Sequence, residues 1–243
     1  MKSKSDLREA LDGFSFIAHH GHLLADRALS HMAISAAAMA IALAIAVPVG
    51  VWLGHIHRGA FVAINLANVG RALPSLAVIA IAIAVLNLDL KTLLLALVVL
   101  AVPPMLTNAW AAIDGVDPDL VDAARGMGMT PLDVLRRVEL PLALPLLFAG
   151  IRTAAVYVVA TVPLGALTGT NGGLGEIIVN QASYHLSGVV GAAICVAALA
   201  LLVDAAFAGV QRLVTPRGLR ERIDFAAVQT EAAQAEPHPT AVT

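Results

Sequence analysis

Asp122-Ala-Ala-Arg-Gly-Met-Gly128, followed ten residues later by Val138-Glu-Leu-Pro141, is a polar, arginine-bearing stretch set between long apolar segments. Its local signals are those of a helical hairpin. Asp117 stands where it can cap a helix whose first position is Pro118, a site at which a missing N–H costs nothing. Leu120, Ala123, Ala124 and Met127 follow the i, i+3, i+4, i+7 spacing and predict one apolar stripe, kept thin by the two alanines. Asp122 and Arg125 share the opposite face at i, i+3 and are spaced to pair. Gly128 suits the left-handed residue that ends a helix. After Met129 the start signal repeats: Thr130 caps, Pro131 takes the first helical position, and Asp133 completes an approximate capping box. Leu132, Val134, Leu135 and Val138 gather on one arc of this second helix, with Asp133, Arg136 and Arg137 on the other. Pro141 is expected to end it and to open the next apolar segment. The residues alone leave two readings in balance: a knob gripped by another protein, or an amphipathic loop resting on lipid headgroups.

The chain has 243 residues, of which 59% are hydrophobic and 13% charged, and its mean hydropathy is +0.84. A soluble domain carries about 25% charged residues, so much of this surface faces something other than water. Ala, Leu and Val dominate. Ala and Leu are strong helix formers, and a helix of about 20 apolar residues crosses a bilayer, so an all-α integral membrane protein is expected. The net charge of −2 gives no sign of a nucleic-acid partner. Cys195 is the single cysteine; it excludes an internal disulfide framework and reads as a small apolar residue packed between helices. The first thirty residues hold Asp6, Glu9, Asp12 and Asp26 and lack a compact apolar core before small residues, so no cleavable signal peptide is expected.

Five spans are predicted, over about 31–54, 60–86, 91–110, 142–167 and 188–210, with the hairpin at 117–141 between spans three and four. Residues 1–30 form an N-terminal tail in which Leu7, Leu11, Phe14 and Ile17 lie among charges. It is expected to rest on the membrane surface as an amphipathic helix. Residues 215–243, rich in Ala, Gln, Glu, Pro and Thr, lack apolar periodicity and are expected to be partly disordered. Basic residues set the orientation. One side receives Arg58, Arg125, Arg136, Arg137, Arg212, Arg217, Arg220 and Arg222, while the connections of the other side hold Lys91 alone. This predicts a cytoplasmic hairpin and C-terminus and an extracytoplasmic N-terminus, although Lys2, Lys4, Arg8 and Arg27 of the N-terminal tail, interleaved with four acids, narrow the margin.

The spacing Asp122-Ala-Ala-x3-Gly128-x9-Val138-x-Leu140-Pro141 resembles the EAA loop of the inner-membrane permease subunits of ATP-binding-cassette importers. Asp122 replaces the family's Glu and Val138 its Ile. Leu73-Pro-Ser-Leu76, Thr107-Asn108, Gly115-Val-Asp-Pro118, Ala149-Gly-Ile-Arg-Thr-Ala154 and Gly172-Gly-Leu-Gly175 extend the similarity to the branch that imports glycine betaine, choline or carnitine. By that resemblance the hairpin is the coupling helix seated in a separate ATPase, and Asp122, Ala123, Ala124, Arg125, Gly128, Met129, Thr130, Val138, Leu140 and Pro141 form the coupling surface. The resemblance implies two ATPase subunits that bind ATP and Mg, a second copy of this permease or a paralogous permease, and an extracytoplasmic solute-binding protein. It places the chain in the cell inner membrane. The chain itself carries no Gly-x4-Gly-Lys-Ser/Thr loop, so no cofactor and no catalytic residue is expected in it. The Gly172–Gly175 cluster reads as a tight turn where the chain leaves or re-enters the bilayer.

Polar residues inside the spans suggest a path. Charges at membrane depth are costly unless they face protein or water, and Arg71 lies about 16 Å into span two at 1.5 Å per residue. Asn65 and Asn68 precede it and Pro74 follows, so this helix is expected to be kinked and to face a path lined by Asn68, Arg71, Pro74, Ser75 and Asn108. An interhelical hydrogen-bonding cluster is the equal alternative. An Arg71 cation would repel a quaternary ammonium unless paired or bound to a betaine carboxylate. Glu176, Asn180, Gln181 and Tyr184 are read as a solvated loop face, and Arg152 and Asp204 as anchors that snorkel to the interface. The Pro103-Pro104 pair is expected to break span three. His19, His20, His22, His55 and His57 lack a completing Cys or carboxylate at ligand spacing, so no metal site is expected. Competing functions are an importer of another small solute such as an amino acid, an ion-gradient-driven secondary transporter, and a scaffold. The absence of an obvious repeat and of mid-span acids speaks against the secondary transporter.

Overall fold

The computed structural model describes residues 12–86, 89–169 and 171–215, and the side chains of Arg71 and Thr168 lie outside that set. A helix over 12–19 (α1) leads into α2 (Gly21–His55), followed by α3 (Ala60–Ala72), α4 (Ser75–Leu86), α5 (Leu90–Asp114), α6 (Pro118–Gly126) and α7 (Pro131–Val134). A π turn (Leu135–Glu139) carries α7 into α8 (Leu140–Thr161), after which come a 3-10 stretch (Val162–Thr168), α9 (Gly175–Val179) and α10 (Gln181–Val214). The expected all-α class is what the chain adopts. Four runs are long and apolar enough to cross a bilayer: α2, α5, Pro131–Leu167 and α10. The pair α3 and α4, bent by 93°, makes a fifth if counted as one broken span. This bend exceeds the kink expected for span two. Pro74 offers no N–H, and Leu73 before it is extended (φ −76°, ψ 119°), the conformation that a following proline imposes.

Helix α5 is the centre of the bundle and packs on α2, α3, α4 and α8. Its interfaces are made of small side chains: Ala38, Ala42, Ala46, Ala96, Ala101, Ala109 and Ala154 are all buried. Between membrane helices, where lipid removes the usual hydrophobic drive, such residues let backbones approach for van der Waals contact. Gly50 and Gly54 of α2 take this furthest. A Cβ on Gly50 would lie 2.7 Å from the Leu106 carbonyl oxygen, and one on Gly54 would lie 2.9 Å from that of Trp110. The break expected at Pro103-Pro104 does not occur, because α5 runs unbroken through both. The ring of Pro103 fits against Gly70, where a Cβ would come within 2.6 Å of it, and the packed neighbours hold the helix on either side of the missing N–H groups.

At the end of the bundle away from the hairpin, a proline and a histidine solve one problem together. Pro163 cannot donate to the carbonyl of Val159, its i−4 partner. The fully buried His31 of α2 fills that role, its Nε2 donating to Val159 O at 2.9 Å. Gly173, at φ +57° in the turn before α9, presses on the His31 backbone, so the glycine cluster is a tight turn as read. Glu176 is not a free loop acid: Arg27 of α2 forms an ion pair with it. Leu7 and Leu11 lie outside the described residues, Phe14 is exposed, and Phe16 inserts instead, stacked on His20 and edge-on to Tyr184 against the start of α10. The helix α10 is itself broken at His185 (φ 56°, ψ 178°). Its Cys195 is half-buried and packs beside that cluster.

Candidate functional site

The hairpin stands on a small core of its own. Val116, Val121, Ala124 and Val134 are buried together, with Met129, Val138 and Leu142 packed against them. Asp117 caps α6 by accepting from Asp119 N at 3.0 Å, with Pro118 in the first turn. The Asp122–Arg125 pair forms at 3.6 Å. The helix ends in a Schellman turn: Gly128 is left-handed (φ +84°), its N–H reaches Arg125 O at 2.9 Å, and Met129 N–H reaches Ala124 O at 3.3 Å. Thr130 caps α7. Its hydroxyl accepts from Asp133 N at 3.3 Å and donates to Asp133 Oδ2 at 2.5 Å. The Thr130 hydroxyl beside it, helped by the Arg137 guanidinium at 3.4 Å, holds the Asp133 carboxyl below the usual carboxylate range, so it is ionised at neutral pH.

Two local expectations are corrected. The predicted stripe of α6 is not left whole: Ala124 turns inward with Val121, while Leu120, Ala123 and Met127 lie in the open, Met127 at 72% exposure. Leu132 of α7 is exposed beside them. Nor does Pro141 end the second helix. The chain passes from α7 through the π turn into α8 without a break, and Leu140 N–H bonds to Leu135 O. An α-helical turn there would drive the Pro141 ring into the carbonyl of Arg137, and the wider π turn makes room for it. The hairpin is therefore rigidly continuous with the fourth span.

Its base is held by two histidines that the sequence did not mark for this role. Glu139, in the π turn, is fully buried and accepts from His55 Nδ1 at 2.5 Å. His57 Nδ1 lies 3.1 Å from Asp114 Oδ1 at the end of α5. A glutamate inside an otherwise apolar arc was the one signal available for the first contact.

A cavity of about 330 Å³ opens among α3, α5 and α8. Ala67, Gly70, Thr107, Asn108, Thr153 and Tyr157 are among its walls. Thr107, Asn108 and Thr153 each donate to the carbonyl four residues back, at 2.8, 2.7 and 2.9 Å. The two hydroxyl donors are thus engaged, Asn108 keeps a second amide N–H, and the side-chain oxygens remain as acceptors beside the Tyr157 ring. Of the four expected path residues whose side chains are described, only Asn108 lines this cavity. Asn68 and Pro74 are exposed on α3 and just after it, Ser75 is half-buried at the start of α4, and the Arg71 side chain lies outside the described residues. Arg152 and Asp204 do not snorkel separately. They form a bidentate pair at 2.5 and 2.6 Å that joins α8 to α10.

Residues 46–217 match the family described as the binding-protein-dependent transport system inner membrane component. The chain is 35% identical over 207 residues to the glycine betaine/carnitine/choline transport system permease protein OpuCB of Bacillus subtilis, covering 85% of this chain and 95% of that one. It is 36% identical over 208 residues to the carnitine transport permease protein OpuCB of Listeria monocytogenes, with 85% and 95% covered. Among solved structures it resembles a chain of the inward-facing MetNI methionine ABC transporter, with a TM-score of 0.69 at 23% identity, covering 80% of this chain and 97% of that chain.

Proposed function

The chain belongs to the inner membrane components of binding-protein-dependent transport systems, and we propose that it forms half of a translocation path for a quaternary-ammonium osmoprotectant. Two such permeases, identical or paralogous, pair around the path. Two ATPase subunits grip the two hairpins, and an extracytoplasmic binding protein delivers the solute. The hairpin and the C-terminal tail face the cytoplasm and the N-terminus the other side, as the arginine distribution supports. ATP binding draws the hairpins together and turns the path outward; hydrolysis turns it back. The coupling surface comprises Asp122, Ala123, Arg125, Gly128, Met129, Thr130, Val138, Leu140 and Pro141, with Ala124 buried beneath it in the hairpin core. Asn68, Arg71, Pro74, Ser75 and Asn108 belong to the path. The cavity beside Asn108 suits a methylated ammonium, since its described walls offer lone pairs and an aromatic ring and carry no charge.

The observation that carries this reading is the bare apolar face of Leu120, Ala123, Met127 and Leu132 on a hairpin whose own base is firmly packed. Gly128 provides the test, because a Cβ there would meet nothing within 4 Å in this chain. In the reconstituted transporter, Gly128→Val forces a β-branched residue into a left-handed conformation and adds bulk at the ATPase surface. ATP-driven uptake should fall while membrane insertion persists. Gly128→Asn, which tolerates that conformation, should recover part of the uptake. Full uptake by the valine variant overturns the proposal.

A further inference from the structure

The end of α2 and the turn after it carry two histidines two residues apart, His55 and His57, which fasten the hairpin at both of its roots. Residues at i and i+2 on a continuing helix do not face one way. Here the helix stops between them in a Schellman turn: His57 N–H bonds to Gly54 O at 2.9 Å and Arg58 N–H to Leu53 O at 3.1 Å. The residue at the left-handed position is His57 itself, at φ +49°. Hairpin helix α6 ends in the same motif with glycine there, the residue that takes this conformation without strain. A histidine in that place carries a backbone penalty, and what it gains is a side chain turned toward Asp114. His55, in the last turn of α2, reaches Glu139. Asp114 ends α5 just before the hairpin and Glu139 lies in the hairpin's closing π turn, so the end of α2 spans its base.

The Glu139 contact is the deeper of the two. Its side chain is 1% exposed, and Oε1 is buried with no hydrogen-bond partner among the described residues, which leaves His55 as the group that compensates the carboxylate. Gly50 and Gly54 seat α2 directly on α5 just before Asp114. Packing and both histidine contacts therefore tie α2 to the hairpin. We propose that His55 and His57 are positioning residues that brace the hairpin onto α2, so that the first span moves with the hairpin as one body during the transport stroke, with His55–Glu139 bearing most of the load.

This inference rests on the reading of the hairpin as the ATPase-coupled handle, and the test separates the two. The full transporter with its ATPase and binding protein is placed in liposomes, with uptake of radiolabelled glycine betaine, choline and carnitine and ATP hydrolysis measured together. If the unaltered transporter shows no ATP-dependent uptake of any of the three, the proposed function fails, and the brace with it. Given coupled uptake, His55→Leu and Glu139→Leu should each lower the solute moved per ATP by about tenfold while hydrolysis continues, the outcome of stranding one member of a buried pair. The double variant should do no worse than either single, since an apolar pair strands nothing. His57→Gly keeps the turn and loses only the Asp114 contact, and should lower the ratio by about two- to threefold, as expected of a half-exposed pair. An unchanged ratio in the single variants, or additive losses in the double, overturns the brace. If the single variants fail to assemble, the double variant and His57→Gly decide: a normal ratio in His57→Gly, or a double variant that also fails to assemble, counts against it.

Discussion

His31 owes its place to Pro163, a residue in a different helix. A proline at that point removes the donor that Val159 O would otherwise receive, and the carbonyl is too deep for water to reach. His31 Nε2 supplies the bond at 2.9 Å. Replacing His31 by Ala should therefore leave a buried carbonyl unpaired, at about 1–3 kcal/mol. For a chain of this size that corresponds to a fall in melting temperature of about 2–4 °C per kcal/mol, measured in detergent. Adding Pro163→Ala restores a backbone N–H near Val159, so the double variant should recover part of the loss. A double variant that melts no higher than His31→Ala would show that the histidine is held for another reason. The pairing also marks where sequence reasoning stops. That Pro163 frees a carbonyl can be read locally, but which side chain answers it depends on a helix packing that no spacing reveals. The same is true of Arg152 with Asp204 and Arg27 with Glu176. Each residue was visible as a charge in or near an apolar segment, and neither partner was.

At the scale of elements, local grammar carried far. Caps at Asp117 and Thr130, prolines at first helical positions and the left-handed Gly128 all have their signals in neighbouring residues, and all are present as read. What failed were inferences about continuation. Two adjacent prolines did not break α5, and Pro141 did not stop the second hairpin helix, because packing and a π turn absorbed each defect. The cap at Thr130 yields a prediction with a definite sign. Asp133 has its carboxyl lowered in the folded hairpin, so its contribution is complete above the ordinary carboxylate pKa and is lost as the pH falls through the lowered value. Tryptic cleavage at Arg136 and Arg137 cannot be followed in strong acid, so hydrogen exchange of the 130–137 backbone is the better probe. Its protection, corrected for intrinsic rate, should be flat from pH 8 to 6 and should decline only in acid. Thr130→Ala removes the cap, worth about 1 kcal/mol, and should lower protection across the whole range. A marked loss of protection already between pH 7 and 6 in the unaltered protein would contradict the assignment.

For the whole molecule, the question is what its exposed surfaces meet. Leu201, Leu202 and Leu213 of α10 and Phe61 of α3 are open and apolar, as lipid-facing residues are. Asn65 and Asn68 of α3 are open and polar, and a bare amide in hydrocarbon is costly. Asn65 gives one of its two amide N–H groups to the carbonyl of Phe61 at 2.7 Å, while Asn68 leaves the question sharper. If two copies enclose a wet path, this face of α3 turns toward it and the leucine face of α10 turns away. The single native cysteine, Cys195, can be replaced by Ala to give a background for labelling. In that background Asn68→Cys in the assembled transporter should react with a membrane-impermeant maleimide, and the rate should change when a non-hydrolysable ATP analogue shifts the path from one side to the other. Leu202→Cys should stay unlabelled under both conditions. Equal, unresponsive labelling of the two positions would mean that α3 does not border the path, and the route of the solute would then have to be sought along a different face of α5.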